Sequence, residues 1–271
     1  MSSVKHHDYH LVDPSPWPLL GALSAATMFV GLAMFMHNVP AGKFIAPLGL
    51  ALVLWTMYVW WRDVVREGIK DKAHTDVVRK GLRFGMLLFI CSEVMFFVAF
   101  FWAFFNASLN PAHILEEIWP IAEGIWPPKG IETLDAWDLP LINTLILLLS
   151  GTTVTWAHHA ILQGDNKTTV RALKYTILLG LSFTALQAYE YHHAAFGFKE
   201  GIYASTFYMA TGFHGAHVMI GTLFLTVCYF RAKKKQFTPE GHLGFEFAAW
   251  YWHFVDVVWL FLFLCVYVWG S

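Results

Sequence analysis

The chain has 271 residues, 57% hydrophobic and 14% charged, with a formal net charge of −1 and a mean hydropathy of +0.49. A soluble domain carries about 25% charged residues, and a chain of this length cannot hide so many apolar runs of about 20 residues in a water-soluble core; an integral membrane protein is expected. The near-zero net charge argues for no particular partner, the placement of the clustered basic residues mattering more than their sum, and no nucleic-acid partner is expected. Cys91, Cys228 and Cys265 fall in separate apolar runs, without metal-ligand or disulfide spacing.

Residues 1–18 are polar and contain Pro and His, and show no cleavable signal pattern. The first apolar run, 17–36, is entered through Pro14, Pro16 and Pro18, which a helix start tolerates. Trp17 suits an interfacial anchor. A short turn at 38–42 leads to the second run, 44–61. It closes on Trp55, Tyr58, Trp60 and Trp61 and then Arg62-Asp63, an aromatic belt followed by charge at headgroup depth. Runs one and two read as a tight hairpin.

The connector 62–83 carries seven Lys/Arg residues. The third run is 83–105. Gly85, Ser92, Ala99 and Ala103 lie on one flank of it, where small residues let another helix approach. Residues 106–138 are polar and acidic, with a Trp126-Pro127-Pro128 turn, and read as loop with one short helix. The fourth run, 141–162, carries Ser150-Gly151-Thr152-Thr153, whose hydroxyls can bond i−4 carbonyls or a neighbouring helix. Runs five, six and seven cover 172–193, 204–230 and 245–269.

The expected fold is therefore all-α, one polytopic domain with seven transmembrane helices. With the N-terminus inside, fifteen basic residues fall on that side against Lys43, Lys129 and Lys199 on the other. This bias predicts a cytoplasmic N-terminus and a C-terminus on the opposite side.

Several polar groups fall within these runs. Glu93 lies near the centre of the third, with Phe89, Ile90, Phe96 and Phe97 as helical neighbours. An ionised Glu there is costly, so it must be neutral, paired, or beside water. It is either a structural acid bonded to a neighbouring helix or a proton-active group. Glu190 and His193 are i,i+3 at the end of run five and can pair as an interfacial patch. His253 and Asp256 are i,i+3 in run seven and read as a structural clip. His214 and His217 share a face of run six, and a metal would need further ligands such as His158, His159 or His253. No HExxH or CxxC spacing accompanies them, so hydrogen bonding between helices or to lipid phosphate is the better reading. Trp61, Arg62, Arg66, Glu67, His74 and Arg83 ring the inner ends of runs two and three, and Arg231 and Lys234 end run six. They read as solvated flanks or as a lipid-headgroup site.

Taken together, Trp60-Trp61-Arg62-Asp63-Val64, the stretch 82–105, Trp156-Ala157-His158-His159, the stretch 210–217 and the stretch 245–261 resemble subunit III of the haem–copper cytochrome c oxidases. The resemblance covers nearly the whole chain, from 12–18 to 269–271. It implies seven helices, with the first two separated from the other five by a V-shaped cleft filled with tightly bound phospholipids. It also implies no haem or copper in this chain and no catalytic residue. The expected partners are oxidase subunit I, as the main packing surface, and subunit II; these hold the haem and copper, and cytochrome c is the electron donor to the complex. The family's carbodiimide-reactive glutamate matches Glu93. Its lipid-contact positions match Trp61, Glu67, His74 and Arg83, and His217, Arg231 and Lys234. The roles implied are support of proton uptake, protection against turnover-linked inactivation, and a lipid route for O2. A long loop at 116–124 favours a bacterial plasma-membrane enzyme over a mitochondrial one. The competing reading is an autonomous proton-coupled transporter centred on Glu93, although no inverted repeat is visible.

Overall fold

The computed structural model describes residues 8–111 and 125–270. Among the described residues there are seven helices: α1 (Trp17–Met36), α2 (Gly42–Ile69), α3 (Asp76–Leu109), α4 (Leu139–Leu162), α5 (Asn166–His193), α6 (Ile202–Lys233) and α7 (Leu243–Leu262), the last continued by a π-helical turn, Phe263–Val268. The protein is an all-α polytopic membrane protein.

The span count needs correction. Among the described residues six helices are long and apolar enough to cross a membrane, and α5 is not one of them. The cause is local. Lys167, Arg171 and Lys174 occupy its first turns, and Gln187, Glu190, His192 and His193 its last. This leaves only 175–186 uninterrupted, short of the roughly 20 residues a bilayer core needs. Opposed termini require an odd number of crossings, so that part of the expected orientation loses its basis. The V-shaped cleft is likewise withdrawn, since nothing in the geometry assigns one. Two helices also run further than their apolar stretches. α2 continues through 62–69, and α3 begins at Asp76, so the basic connector is mostly helical. The loop reading at 112–124, including the long segment 116–124, lies outside the described residues.

The chain divides into two compact units, Met1–Leu82 and Arg83–Ser271. In the first, α1 and α2 form the expected hairpin, but small residues bring them together. The buried positions of α1 are Ser24 and Gly31; those of α2 include Gly42, Gly49 and Thr56, seven apart. A Cβ at Gly31 would overlap the backbone at Ala46, and one at Gly42 the backbone at Phe35. Backbones therefore touch directly, the contact that drives helix association in lipid. Ser24 and Thr56 return their hydroxyls to the carbonyls of Leu20 and Leu52, so neither is left unpaired. Trp17 Nε1 donates to Asp63 Oδ2 at 3.0 Å, which ties the start of α1 to α2.

In the second unit the core is aromatic. Trp252 of α7 is fully buried and fits against Gly180 of α5 and Gly221 of α6. Its Nε1 donates to Ser150 Oγ at 2.9 Å; one heptad on, Trp259 Nε1 donates to Thr144 Oγ1 at 2.9 Å. With no water at that depth each indole N–H needs such a partner. In the Ser/Thr stretch of α4, Thr153 bonds the Ser150 carbonyl, three residues back where four was expected, and also Thr176 of α5, at 2.8 Å. Asp165 caps α5. The Thr168 hydroxyl, then the Thr168 N–H, hold its carboxyl below the usual range. α3 reaches the bundle through long side chains and leaves Phe84, Leu88, Met95 and Trp102 exposed along one face, the pattern of a helix that meets lipid or a partner.

Candidate functional site

Glu93 projects from the middle of α3 and meets His217 of α6, with Oε2 and Nε2 2.8 Å apart. The other ring nitrogen, Nδ1, lies 2.6 Å from the Phe213 carbonyl oxygen. A carbonyl oxygen only accepts, so Nδ1 carries a proton. Nε2 must then either accept from a neutral Glu93 or donate to its carboxylate. Either way a single proton occupies the hydrogen bond between Oε2 and Nε2. Phe97 lies 4.8 Å from the imidazole centroid, Phe96 5.7 Å and Tyr251 6.4 Å. These rings flank the imidazole, while the Glu93 side chain stays 21% exposed. Glu93 is thus paired with a neighbouring helix, and this geometry is compatible with either the neutral acid or the carboxylate. The sequence had placed His217 with the lipid-contact residues and had not joined it to Glu93.

About ten residues along α3, roughly 15 Å at 1.5 Å per residue, Arg83 Nε and Nη2 donate to the two Glu246 oxygens of α7, both at 2.9 Å. This is a fork–fork pair, the strong geometry for arginine and carboxylate. Arg83 was expected at a lipid headgroup; its charge is already balanced by Glu246, which sequence reasoning had not singled out. Arg231, at the end of α6, approaches the same start of α7 at Gly244. Its Nε donates to Gln236 Oε1 at 3.3 Å, and its guanidinium lies 4.6 Å over the Phe237 ring. Both neighbours are neutral, and among the described residues Arg231 makes no salt bridge. Lys234 is exposed at the helix end.

In the first unit, Trp61 is exposed, and Glu67 Oε2 lies 3.3 Å from His10 Nε2. His74 stands edge-on to His10, with ring centroids 6.3 Å apart. Burial, then the neighbouring His10, lowers its pKa, against an opposing pull from Glu67.

Two expected polar pairs do not form. Glu190 is buried, and its Oε1 accepts from Gln187 Nε2 at 2.9 Å and from the Tyr267 hydroxyl at 2.7 Å. His193 instead bonds the Tyr189 carbonyl through Nδ1. His253 Nε2 lies 3.2 Å from Thr155 Oγ1, while Asp256 sits over Gly151, and its Oδ1 has no partner. The i,i+3 spacing gave the right faces, but other partners took the groups: Gln187 and the Tyr267 hydroxyl hold Glu190, the Tyr189 carbonyl holds His193, and the Thr155 hydroxyl holds His253. Gln187 and Tyr267 were also missed, since residues 80 apart show no local signal. His214 Nε2 is bonded to the Val255 carbonyl at 3.0 Å, so His214 and His217 turn to different partners. Among the described residues no group of three or more His, Cys, Asp or Glu is placed to hold a metal ion, and the three cysteines are free.

Residues 7–271 match the family model described as cytochrome c oxidase subunit III. A probable cytochrome c oxidase subunit 3 of Rickettsia felis is 59% identical over 270 residues, covering 99% of this chain and 97% of that protein. Cytochrome c oxidase subunit 3 of Arabidopsis thaliana is 58% identical over 271 residues and all of both chains, and that of Cyprinus carpio 56% over 265 residues and 98% of each. With the family model matched over almost the entire sequence and such identities held end to end, the chain belongs to the cytochrome c oxidase subunit III family.

Proposed function

We propose that this chain is a non-redox core subunit of a proton-pumping cytochrome c oxidase. It packs chiefly on subunit I, beside subunit II, and those partners carry the haem and copper that pass electrons from cytochrome c to O2. Its own contribution is to support proton uptake and the working lifetime of the catalytic subunit. The observation that carries this reading is the hydrogen bond between Glu93 of α3 and His217 of α6, an acid and an imidazole joined across two apolar helices. The exposed flank of α3 at Gly85, Ser92 and Ala99 supports a helix-against-helix partner. Phospholipid contacts fall to Trp61, Glu67 and His74 in the first unit and to Arg231 and Lys234 in the second, where Arg83 and His217 are already paired with Glu246 and Glu93. Arg231 is the strongest of these, since a lipid phosphate is the anion its neutral surroundings lack. The chain sits in a bacterial plasma membrane with its basic connector, and so its N-terminus, on the cytoplasmic side.

Removing the chain from the purified oxidase and comparing it with a Glu93→Gln complex tests this. Proton supply falls as pH rises, so an oxidase that lacks the chain should lose activity at a lower pH than the intact one and inactivate after fewer turnovers. Glu93→Gln should assemble with full haem content, because the amide has the shape of the neutral acid and can still bond His217. An unchanged pH profile and lifetime after removal would refute the functional reading; loss of the complex in Glu93→Gln would refute the local one.

A further inference from the structure

Two histidines far apart in sequence meet at one end of the second unit. His158 lies in the last turns of α4, and His242 immediately precedes α7. Their Nε2 atoms are 3.3 Å apart, with ring centroids 5.3 Å apart and planes inclined by 65°. Both residues are only partly buried, so neither is sealed from the surface. The His242 ring is fixed by its other nitrogen: Nδ1 lies 3.0 Å from the Thr238 carbonyl oxygen. That oxygen only accepts, so Nδ1 carries the proton of the neutral ring and Nε2 presents a lone pair. An Nδ1–H held by a backbone carbonyl is also the arrangement that orients metal-ligating histidines.

With His242 in that tautomer, His158 Nε2 donates to His242 Nε2. A neutral His158 can instead hold its proton on Nδ1, which brings a second lone pair to the same place. Tetrahedral zinc, with Zn–N bonds of about 2.05 Å, sets two ligand nitrogens about 3.3 Å apart and their ring centroids about 5.2 Å apart. The pair therefore already has the separation that two imidazoles adopt on one ion. Phe245 stands against His158, with centroids 5.6 Å apart, and limits how far that ring swings. Glu246, one turn beyond His242, is engaged by Arg83. Among the described residues no third His, Cys, Asp or Glu completes the set. Water would complete the coordination, which makes the site open and its ion exchangeable.

We propose that His158 and His242 bind an exchangeable divalent cation of the zinc type through their Nε2 atoms, and that the ion clips the end of α4 to the start of α7. A donor set of two imidazoles suits Zn2+ or Ni2+; Mg2+ and Ca2+ demand oxygen ligands and are not held.

Diethyl pyrocarbonate acylates imidazole nitrogens that carry a free lone pair, and peptide mass spectrometry reads each histidine separately. The test uses the full chain in the complex with which it purifies, treated with EDTA, freed of chelator and titrated with Zn2+. Zinc should protect His158 and His242 with one common concentration dependence and leave the exposed neighbour His159 reactive. Mg2+ at the same concentrations should protect neither. His242→Ala should raise the zinc concentration that half-protects His158 roughly tenfold or more, and His158→Ala should do the same for His242. The His242 side chain makes no capping bond to α7, so its loss leaves the helix start intact. If one variant does not assemble, the reciprocal one decides. No zinc-dependent protection of the pair, equal protection of His159, or protection of His158 that persists unchanged in His242→Ala overturns the proposal.

Discussion

Replacing Gly49 with leucine is expected to part α1 from α2. A Cβ at this position would stand 2.5 Å from Met28 Cα and 2.9 Å from Met28 Cβ, and would overlap the Met28 backbone nitrogen as well. Overpacking a yielding core costs about 1–3 kcal/mol because side chains can move aside. Here the obstacle is backbone, so the helices themselves must separate. Lipid tails offer α1 no hydrophobic reason to return, and close packing is the main attraction that remains. Spin labels on the exposed Phe29 and Leu48 should report a narrow distance distribution in the native chain, broadened and longer by several ångströms in Gly49→Leu. Gly81→Leu is the control, since nothing lies within 4 Å of a Cβ at Gly81. An unchanged distribution in Gly49→Leu would contradict the hairpin geometry.

Trp252→Ala should have the largest effect in the second unit. In a water-soluble core such a truncation costs about 3–5 kcal/mol. Part of that is transfer from water, which falls away where the alternative environment is lipid. The cavity term remains, at roughly 24 cal/mol per Å³, and on the order of 140 Å³ of removed side chain gives about 3 kcal/mol. Ser150 also loses the indole donor, at about 1 kcal/mol. Trp252→Phe should recover most of the packing but not the hydrogen bond. Unfolding midpoints in a fixed mixed-detergent titration should fall in the order native, Phe, Ala. Indistinguishable midpoints for native and Ala would show that α5, α6 and α7 do not meet on this ring.

What the sequence made legible follows from physical range. Apolar runs report a helix's own environment, so all seven helices were found and the hairpin of α1 and α2 was anticipated. The extensions of α2 through 62–69 and of α3 back to Asp76 were missed because charged turns past the bilayer are still good helix formers and carry no apolar signal. The error at α5 came from treating helix and span as one thing: the 172–193 stretch is helical, but its ends are too polar for the crossing assigned to it. Pairings between helices were the least legible. Glu93 was singled out by its cost in hydrocarbon, yet its partner His217 lies 124 residues away and depends on the rotation of two helices. Gly42 and Gly49 could have been read as a contact stripe from their heptad spacing, but Glu246 opposite Arg83 offered no comparable clue.

The central claim is that the Glu93–His217 pair and the neighbouring His214 serve packing and hydrogen bonding between helices in a colourless companion subunit, not redox chemistry. The most direct measurement is to separate this chain from the purified oxidase in mild detergent and determine haem and copper per polypeptide in both fractions. The account predicts substoichiometric haem and copper with this chain and the full complement with the remaining subunits. One haem or copper per chain, lost on His214→Ala or His217→Ala, would contradict it.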